Sequence, residues 1–145
     1  MPLTRQDVSQ AWARFMPAMI RGVQLDFFVK KGVTQTQFLI LMAIHGGGEW
    51  TMGRLARIFH VSMPTVSGIV DRLAHAGYLR RRSGTADRRQ VVVELTAKGR
   101  GFIEQFETVM RRRWEDVLRS LTLRDLQAFH DVVVKLRSHL QRVEG

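Results

Sequence analysis

The chain contains no cysteine. That excludes disulfides, thiolate metal sites, cysteine nucleophiles and thiol-based redox sensing. No run of ~18 apolar residues occurs, so nothing in the sequence reads as a membrane span. The opening residues Met-Pro-Leu-Thr-Arg-Gln-Asp hold no apolar stretch suited to secretion, and the expected compartment is the cytoplasm. No internal repeat, low-complexity tract or flexible linker interrupts the chain. His45, His60, His75, His130 and His139 include no pair at i, i+4 with the carboxylate that a helical zinc site needs, so they read as surface or packing residues. Ser62, Thr65 and Ser67 have no base within an evident motif, and no paired carboxylates share a face. The expectation is no catalytic residue, no metal and no cofactor. Acids are also scarce: 13 Asp and Glu stand against 23 Lys and Arg, a net charge of +10.

What is present is ordinary globular material. The 145 residues are 45% apolar and 25% charged, which suits a single domain. A chain of this length buries about two thirds of its unfolded surface and needs no staples. The basic excess favours a polyanionic partner. It is concentrated: residues 51–95 carry 8 basic and 3 acidic side chains, the densest excess in the chain. The flanking thirds mix both signs, as solvated helix faces do.

The periodicity predicts mostly helix. Thr4-x-x-Asp7 opens a helix whose apolar face is Val8, Trp12, Phe15, Met19 and Val23. Pro17 should kink or locally break it, and Lys30-Lys31-Gly32 closes it. Thr34 or Thr36 caps a second helix. Phe38, Leu39, Leu41, Met42 and Ile44 make it apolar nearly all round, and Gly46-Gly47-Gly48 stops it. Thr51 caps a short helix with Leu55, Ala56 and Phe59 inward, and His60-Val61 forms a turn. Ser62 caps the next helix, with Pro64 in its first turn and Val66, Ile69, Val70 and Leu73 in one stripe. After Gly77 the period changes. Tyr78 to Arg82 and Val91 to Leu95 read as two strands around the turn-rich Ser83-Gly84-Thr85-Ala86-Asp87, with Val91, Val93 and Leu95 alternating against Val92 and Glu94. Thr96 starts a further helix. Thr122-x-x-Asp125 restarts the chain into a last stripe of Leu126, Phe129, Val133, Leu136 and Leu140.

Helix, turn, helix and hairpin thus fall in the most basic third. The second helix of such a pair can lie in a major groove. Its polar face presents Thr65, Ser67, Gly68, Asp71, Arg72 and His75. The small residues allow close backbone approach, and Arg72 can reach phosphate or guanine. The hairpin adds Arg80-Arg81-Arg82 and Arg88-Arg89, and an arginine at a hairpin tip can enter the minor groove. Five arginines and one acid within residues 80–89 create a repulsion that a polyanion would relieve. Asp87, the acid, can take a hydrogen bond and an ion pair from a neighbouring arginine, or hold the turn. Arg111-Arg112-Arg113, near Glu104, Glu107, Glu115 and Asp116, reads instead as a solvated face with i, i+4 pairs.

The stretch Leu55-Ala56, Val61-Ser62-Met63-Pro64-Thr65-Val66-Ser67-Gly68-Ile69-Val70-Asp71-Arg72-Leu73 and Gly77-Tyr78-Leu79 resembles the helix-turn-helix of MarR-type regulators. Asp87-Arg88-Arg89 followed by Val93-Glu94-Leu95-Thr96-Ala97-Lys98-Gly99 is similar to that family's wing and next helix. The resemblance extends over the flanking helices at both ends. It implies a mainly α fold with a small β-hairpin wing. Residues 34–95 would form the winged-helix lobe, and 1–33 and 96–145 a helical dimerisation region. It also implies a homodimeric repressor of nearby genes, relieved by small aromatic or phenolic ligands. By position, Ser62, Pro64, Thr65, Ser67 and Gly68 would lie along the major groove, Arg88 in the minor groove, and Asp87 would anchor Arg88. Many members carry a basic or polar side chain where Gly68 stands. Peroxide-sensing members use a cysteine near the N-terminus, a mode this chain lacks.

The residues support the dimer separately. Trp12, Phe15, Phe129, Val133, Leu136 and Leu140 exceed what one small lobe can cover, and an uncovered apolar patch marks a partner. Trp12, Phe15, Met19, Met42 and Phe106 lie on helices that would surround an effector pocket, but side chains at such spacing are more often plain core. His45 ends an apolar helix near that place and could bond a ligand. The leading expectation is therefore a regulator binding double-stranded DNA at sites touched by Ser62, Pro64, Thr65, Ser67, Gly68, Arg72, Asp87, Arg88 and Arg89. The alternatives are a ligand-independent or architectural DNA binder, an RNA-binding basic protein, and a small helical enzyme or ligand carrier.

Overall fold

The computed structural model describes residues 1–143; the side chains of residues 20, 22–26, 141 and 143 lie outside that description, and with them the expectation for Val23. The chain divides into two compact units, residues 1–109 and 110–145.

The first unit opens with α1 (Arg5–Lys31). Thr4 and Asp7 form a reciprocal cap: the Thr4 hydroxyl accepts from the Asp7 amide, and the Asp7 carboxylate accepts from the Thr4 amide at 2.9 Å. Of the kink or local break expected at Pro17, the break does not occur: the helix runs continuously from Arg5 to Lys31. A proline removes a single donor, and the remaining bonds of 27 residues carry the helix past it. Gly32, at φ 64°, ends it in the left-handed conformation that glycine adopts freely.

Helix α2 (Gln35–His45) is capped by Thr34 and Gln37 in the same reciprocal way. Phe38, Ile40, Leu41 and Ile44 are buried, but Leu39 is 46% exposed. The helix therefore has an open side, and Ile40 takes the inward place. Strand β1 (Trp50–Thr51) precedes α3 (Met52–Ile58), whose Leu55 and Ala56 are buried. His60 turns the chain at φ 50°, and α4 (Met63–His75) follows from its Ser62 cap. Val66, Ile69, Val70 and Leu73 form the buried stripe of α4, as the spacing predicts.

Strands β2 (Leu79–Ser83) and β3 (Val91–Leu95) pair antiparallel, from Leu79 opposite Leu95 to Ser83 opposite Val91. β1 adds a third strand, with Trp50 opposite Val93, so β3 is central. This explains a departure from simple alternation. Val92 is buried and Val91 exposed, because Val92 sits between Thr51 on one neighbour and Arg82 on the other. Helix α5 (Ala97–Leu118) then packs Phe102 and Ile103 into the same core as α2, α3 and α4. Phe27, Phe28, Phe38, Phe102 and Phe106 form a connected ring cluster there, with centroids as close as 4.4 Å for Phe38 and Phe106.

In the second unit, Thr122 and Asp125 cap α6 (Leu123–Val143), and the Trp114 and Phe129 rings lie 5.8 Å apart. Farther along, Leu136 and Leu140 are 56% and 58% exposed. Among the described residues, no helix is long and apolar enough to cross a membrane.

Gly99 and Gly101 in α5 provide a matched test of the packing. A Cβ on Gly99 would collide with the Tyr78 carbonyl oxygen and press on Leu95 at 3.0 Å, whereas one on Gly101 meets nothing within 4 Å. Gly99→Ala is expected to destabilise the protein by about 1–3 kcal/mol. Gly101→Ala should stabilise it by about 0.5–1 kcal/mol through helix propensity. Denaturant midpoints of the two variants check the opposite signs.

Candidate nucleic-acid interface

The first turn of α4 is exposed and self-organised. The Ser62 hydroxyl accepts from the Thr65 amide at 3.2 Å and shares a hydrogen bond of 2.8 Å with the Thr65 hydroxyl. Ser62 thus caps the helix while Thr65 and Pro64 stand in solvent beside it. Ser67 and Gly68 are half-buried on the next turn. Arg72 is exposed and folds back along the helix, its Nε donating to the Gly68 carbonyl at 3.1 Å. Its Nη2 lies 4.0 Å from where a Gly68 Cβ would stand, so its guanidinium lies beside the space that Gly68 leaves open.

The hairpin arginines separate by strand alternation. Arg80 and Arg82 point to one face and Arg81 to the other. On the first face Glu94 takes both neighbours, Arg80 Nε at 2.5 Å and Arg82 Nε at 2.7 Å. On the second, Arg81 pairs with Asp71 of α4 at 2.6 Å. The expected repulsion among these arginines is therefore relieved within the protein. Among the described residues, Arg88 and Arg89 have no carboxylate within ion-pair distance. They are exposed on the tip that joins β2 to β3.

The tip is a tight turn. The Gly84 amide donates to Gln90 O at 2.8 Å, and a Cβ on Gly84 would stand 2.7 Å from Asp87 O. Asp87 holds this turn, accepting from the Arg89 amide at 2.9 Å. It makes no ion pair with Arg88; of the two roles the sequence offered it, the bond to the Arg89 amide is the one that holds the turn. The short side chain spends its acceptor on the backbone two residues on.

Glu49, absent from the sequence expectations, reaches the tip instead. Its Oε1 accepts from the Thr85 amide at 2.9 Å, from the Thr85 hydroxyl, and from Arg82 Nη1 at 3.2 Å. The only sequence signal was an acid directly after a glycine run. The Thr85 hydrogen bonds, then Arg82, hold the Glu49 carboxyl below the usual glutamate range. Hydrogen bonds from Arg82 and then Arg80 do the same for Glu94, and the Glu94 bond raises Arg82 further.

Elsewhere, His45 Nε2 stands 3.6 Å from Glu107. Met42 and Phe106 pack against the hydrophobic core, and Met19 is buried. A small cavity of about 190 Å³ in the first unit is lined by Lys31, Tyr78, Lys98, Gly101, Phe102 and Gln105, none of them expected from the sequence. Arg111 pairs with Glu115 at i, i+4, as its setting predicts.

Comparison with known proteins gives a consistent picture. Residues 33–91 match the MarR family. The HTH-type transcriptional repressor YetL of Bacillus subtilis is 33% identical over 86 residues, which are 58% of this chain and 52% of that protein. The chain thus spans about half the length of that curated relative. The transcriptional regulator Tm0710 from Thermotoga maritima superposes with a TM-score of 0.71 at 28% identity, over 92% of this chain and 96% of its own. A MepR variant of S. aureus, solved bound to an oligodeoxyribonucleotide, shares the fold at 18% identity and a TM-score of 0.67, over 96% of this chain and 99% of its own.

The carboxylates of the hairpin set a pH dependence. The folded values of Glu49 and Glu94 are depressed. Their contribution to stability is therefore complete above the unfolded glutamate range, declines as pH falls below it, and is gone once pH has passed through the lower folded values. The Thr85 amide resonance should stay unchanged through the ordinary glutamate titration and move only at more acid pH. A titration of that resonance by NMR checks the order, and movement in the ordinary range would contradict it.

Proposed function

We propose that this chain, whose residues 33–91 match the MarR family, is a DNA-binding transcriptional repressor acting as a homodimer in the cytoplasm. Each subunit presents α4 to a major groove and the hairpin tip, with Arg88 and Arg89, to the flanking minor groove. The observation that carries this reading is the allocation of charge. Glu94, Asp71 and Glu49 neutralise the strand arginines, while the tip arginines are left exposed and without a carboxylate. Unpaired arginines on a narrow projection suit a narrow, negative groove. The named function of YetL and the oligodeoxyribonucleotide bound to the MepR variant support the same reading.

Thr65, Pro64 and Arg72 are exposed along α4, with Ser67 and Gly68 half-buried behind them and Ser62 capping the helix. They form the side that approaches the bases, with Arg72 the longest reach. Asp87 shapes the tip by its bond to the Arg89 amide rather than by touching DNA. Two copies related by a two-fold axis read a pseudopalindrome whose half-sites lie about 10 base pairs apart. The apolar face of α6, with Val133, Leu136 and Leu140 exposed, is the surface a second copy covers. A small aromatic effector relieves repression. The cavity floored by Tyr78 and Phe102 and edged by Lys31 and Lys98 suits a compact, anionic one. No catalytic step is assigned to any residue.

Two measurements test this. Arg88→Ala should weaken binding to a footprinted fragment from the protein's own upstream region by about 1–3 kcal/mol and flatten the dependence on salt. Binding as tight as wild type at the same salt would remove the tip from the interface. Sedimentation at micromolar concentration should show a dimer, and Leu136→Glu should shift it to monomer; a wild-type monomer would contradict the assembly.

A further inference from the structure

The hairpin tip is attached to the rest of the protein at one point. Among the described residues, the only hydrogen bonds from residues 84–90 to anything outside the hairpin run from Thr85 to Glu49. Every other bond of the tip is internal: Gly84 with Gln90, Gln90 with Asp87, and Asp87 with Arg89. The Glu49 contact ties this turn to the loop that precedes β1.

Glu49 is itself built into a rigid loop. Gly47 and Gly48 take φ values of 99° and 82°, which only glycine adopts without strain. Trp50 is buried, pairs with Val93, and donates its Nε1 to Gly47 O at 3.0 Å. Arg54 donates Nη1 to Glu49 O at 3.0 Å while its guanidinium stacks 4.1 Å from the Trp50 ring. The backbone on both sides of Glu49 is therefore tied to α3 and to the central strand. An acid beside a nucleic-acid surface is repelled by phosphate unless it has an internal task, and Arg82 neutralises this one while Thr85 uses it.

We propose that Glu49 is the positioning residue of the wing: its carboxylate, held by the Gly46–Gly47–Gly48 loop, fixes the tip through Thr85 and Arg82 and so sets where Arg88 and Arg89 meet DNA relative to α4. The proposal rests on the DNA-binding reading above. It gives Glu49 a role beside that of Asp87, which shapes the turn from within.

The test uses the full-length protein and a duplex enriched by the wild type from a random library, with unselected random duplex as reference. Glu49→Ala should lose about tenfold in affinity for the selected duplex. Affinity for the random duplex should be unchanged or tighter, because a negative charge has been removed. Glu49→Gln keeps an acceptor for Thr85 and should recover most of the discrimination. In an Arg88→Ala background, Glu49→Ala should cost less than it does in the wild type, since one of the two arginines it positions is gone. Discrimination by Glu49→Ala equal to wild type, equal losses on both duplexes, or independent losses in the double variant would each overturn the proposal. Hydrogen exchange on the free protein decides it without DNA. Amides 84–90 should exchange faster in Glu49→Ala while those of α4 do not, and unchanged exchange overturns the anchor. A wild type that enriches no duplex overturns the DNA-binding reading instead, and the exchange result still stands on its own.

Discussion

Like charges crowd the hairpin, and the residues around it are arranged to keep them apart. Five arginines fall within residues 80–89. A β-strand disperses three of them by sending alternate side chains to opposite faces. Each face then supplies a carboxylate: Glu94 from the paired strand for Arg80 and Arg82, Asp71 from α4 for Arg81. Exposed ion pairs of this kind add little stability individually. Their effect is on distribution. Charge is cancelled along β2 and left standing at Arg88 and Arg89, so the basic excess of the region is focused on the tip instead of spread over the strand.

Such focusing is useful only if the tip and α4 are held to one frame, and the junction between them shows how. The chain leaves α4 through Gly77, at φ 82°, and the Tyr78 amide bonds Leu73 O at 2.9 Å. Thr96 and the first turn of α5 clamp Ala76, Gly77 and Tyr78. The Thr96 hydroxyl donates to Gly77 O at 2.5 Å, Lys98 Nζ to Ala76 O at 2.6 Å, and the Thr96 amide to Tyr78 O at 3.0 Å. Gly99 has to be glycine for α5 to come this close to the Tyr78 carbonyl. The end of α4, the start of β2 and the start of α5 are thus one packed knot, and the Asp71–Arg81 pair extends it along the strand.

Helices were legible in the sequence because each carries both an end signal and a periodic stripe. Thr4, Thr34, Thr51, Ser62 and Thr122 all cap where expected, and Val66, Ile69, Val70 and Leu73 all face inward. What failed were inferences about things a local window does not contain. Pro17 was read from its own missing donor, but the helix on both sides outweighs one lost bond. β1 has two residues, too few to show alternation, and without it the burial of Val92 cannot be anticipated. The candidate interface divided in the same way. The exposed positions of α4 follow from helical spacing, whereas the partner of each arginine depends on strand register and on a loop more than thirty residues away. Asp87 is followed by Arg88 and Arg89, and of the two roles its setting allows, the register of the turn selects the bond to the Arg89 backbone amide.

Arg72 and Gly68 show how an interface can be prepared without a rigid contact. Position 68 has no side chain, so the backbone carbonyl there is open to the solvent side of α4. Arg72, one turn later, folds onto that carbonyl through Nε and lies alongside the helix. The bond is exposed, so replacing its acceptor by a base edge or a phosphate exchanges one hydrogen bond for another of comparable or greater strength. A Cβ at 68 would stand 4.0 Å from Arg72 Nη2, in ordinary van der Waals contact with the guanidinium. On the DNA-binding reading proposed above, glycine at that step leaves contact with the bases to a longer side chain anchored one turn further on, while Asp71 beside it is occupied by Arg81 and does not compete for the same cation.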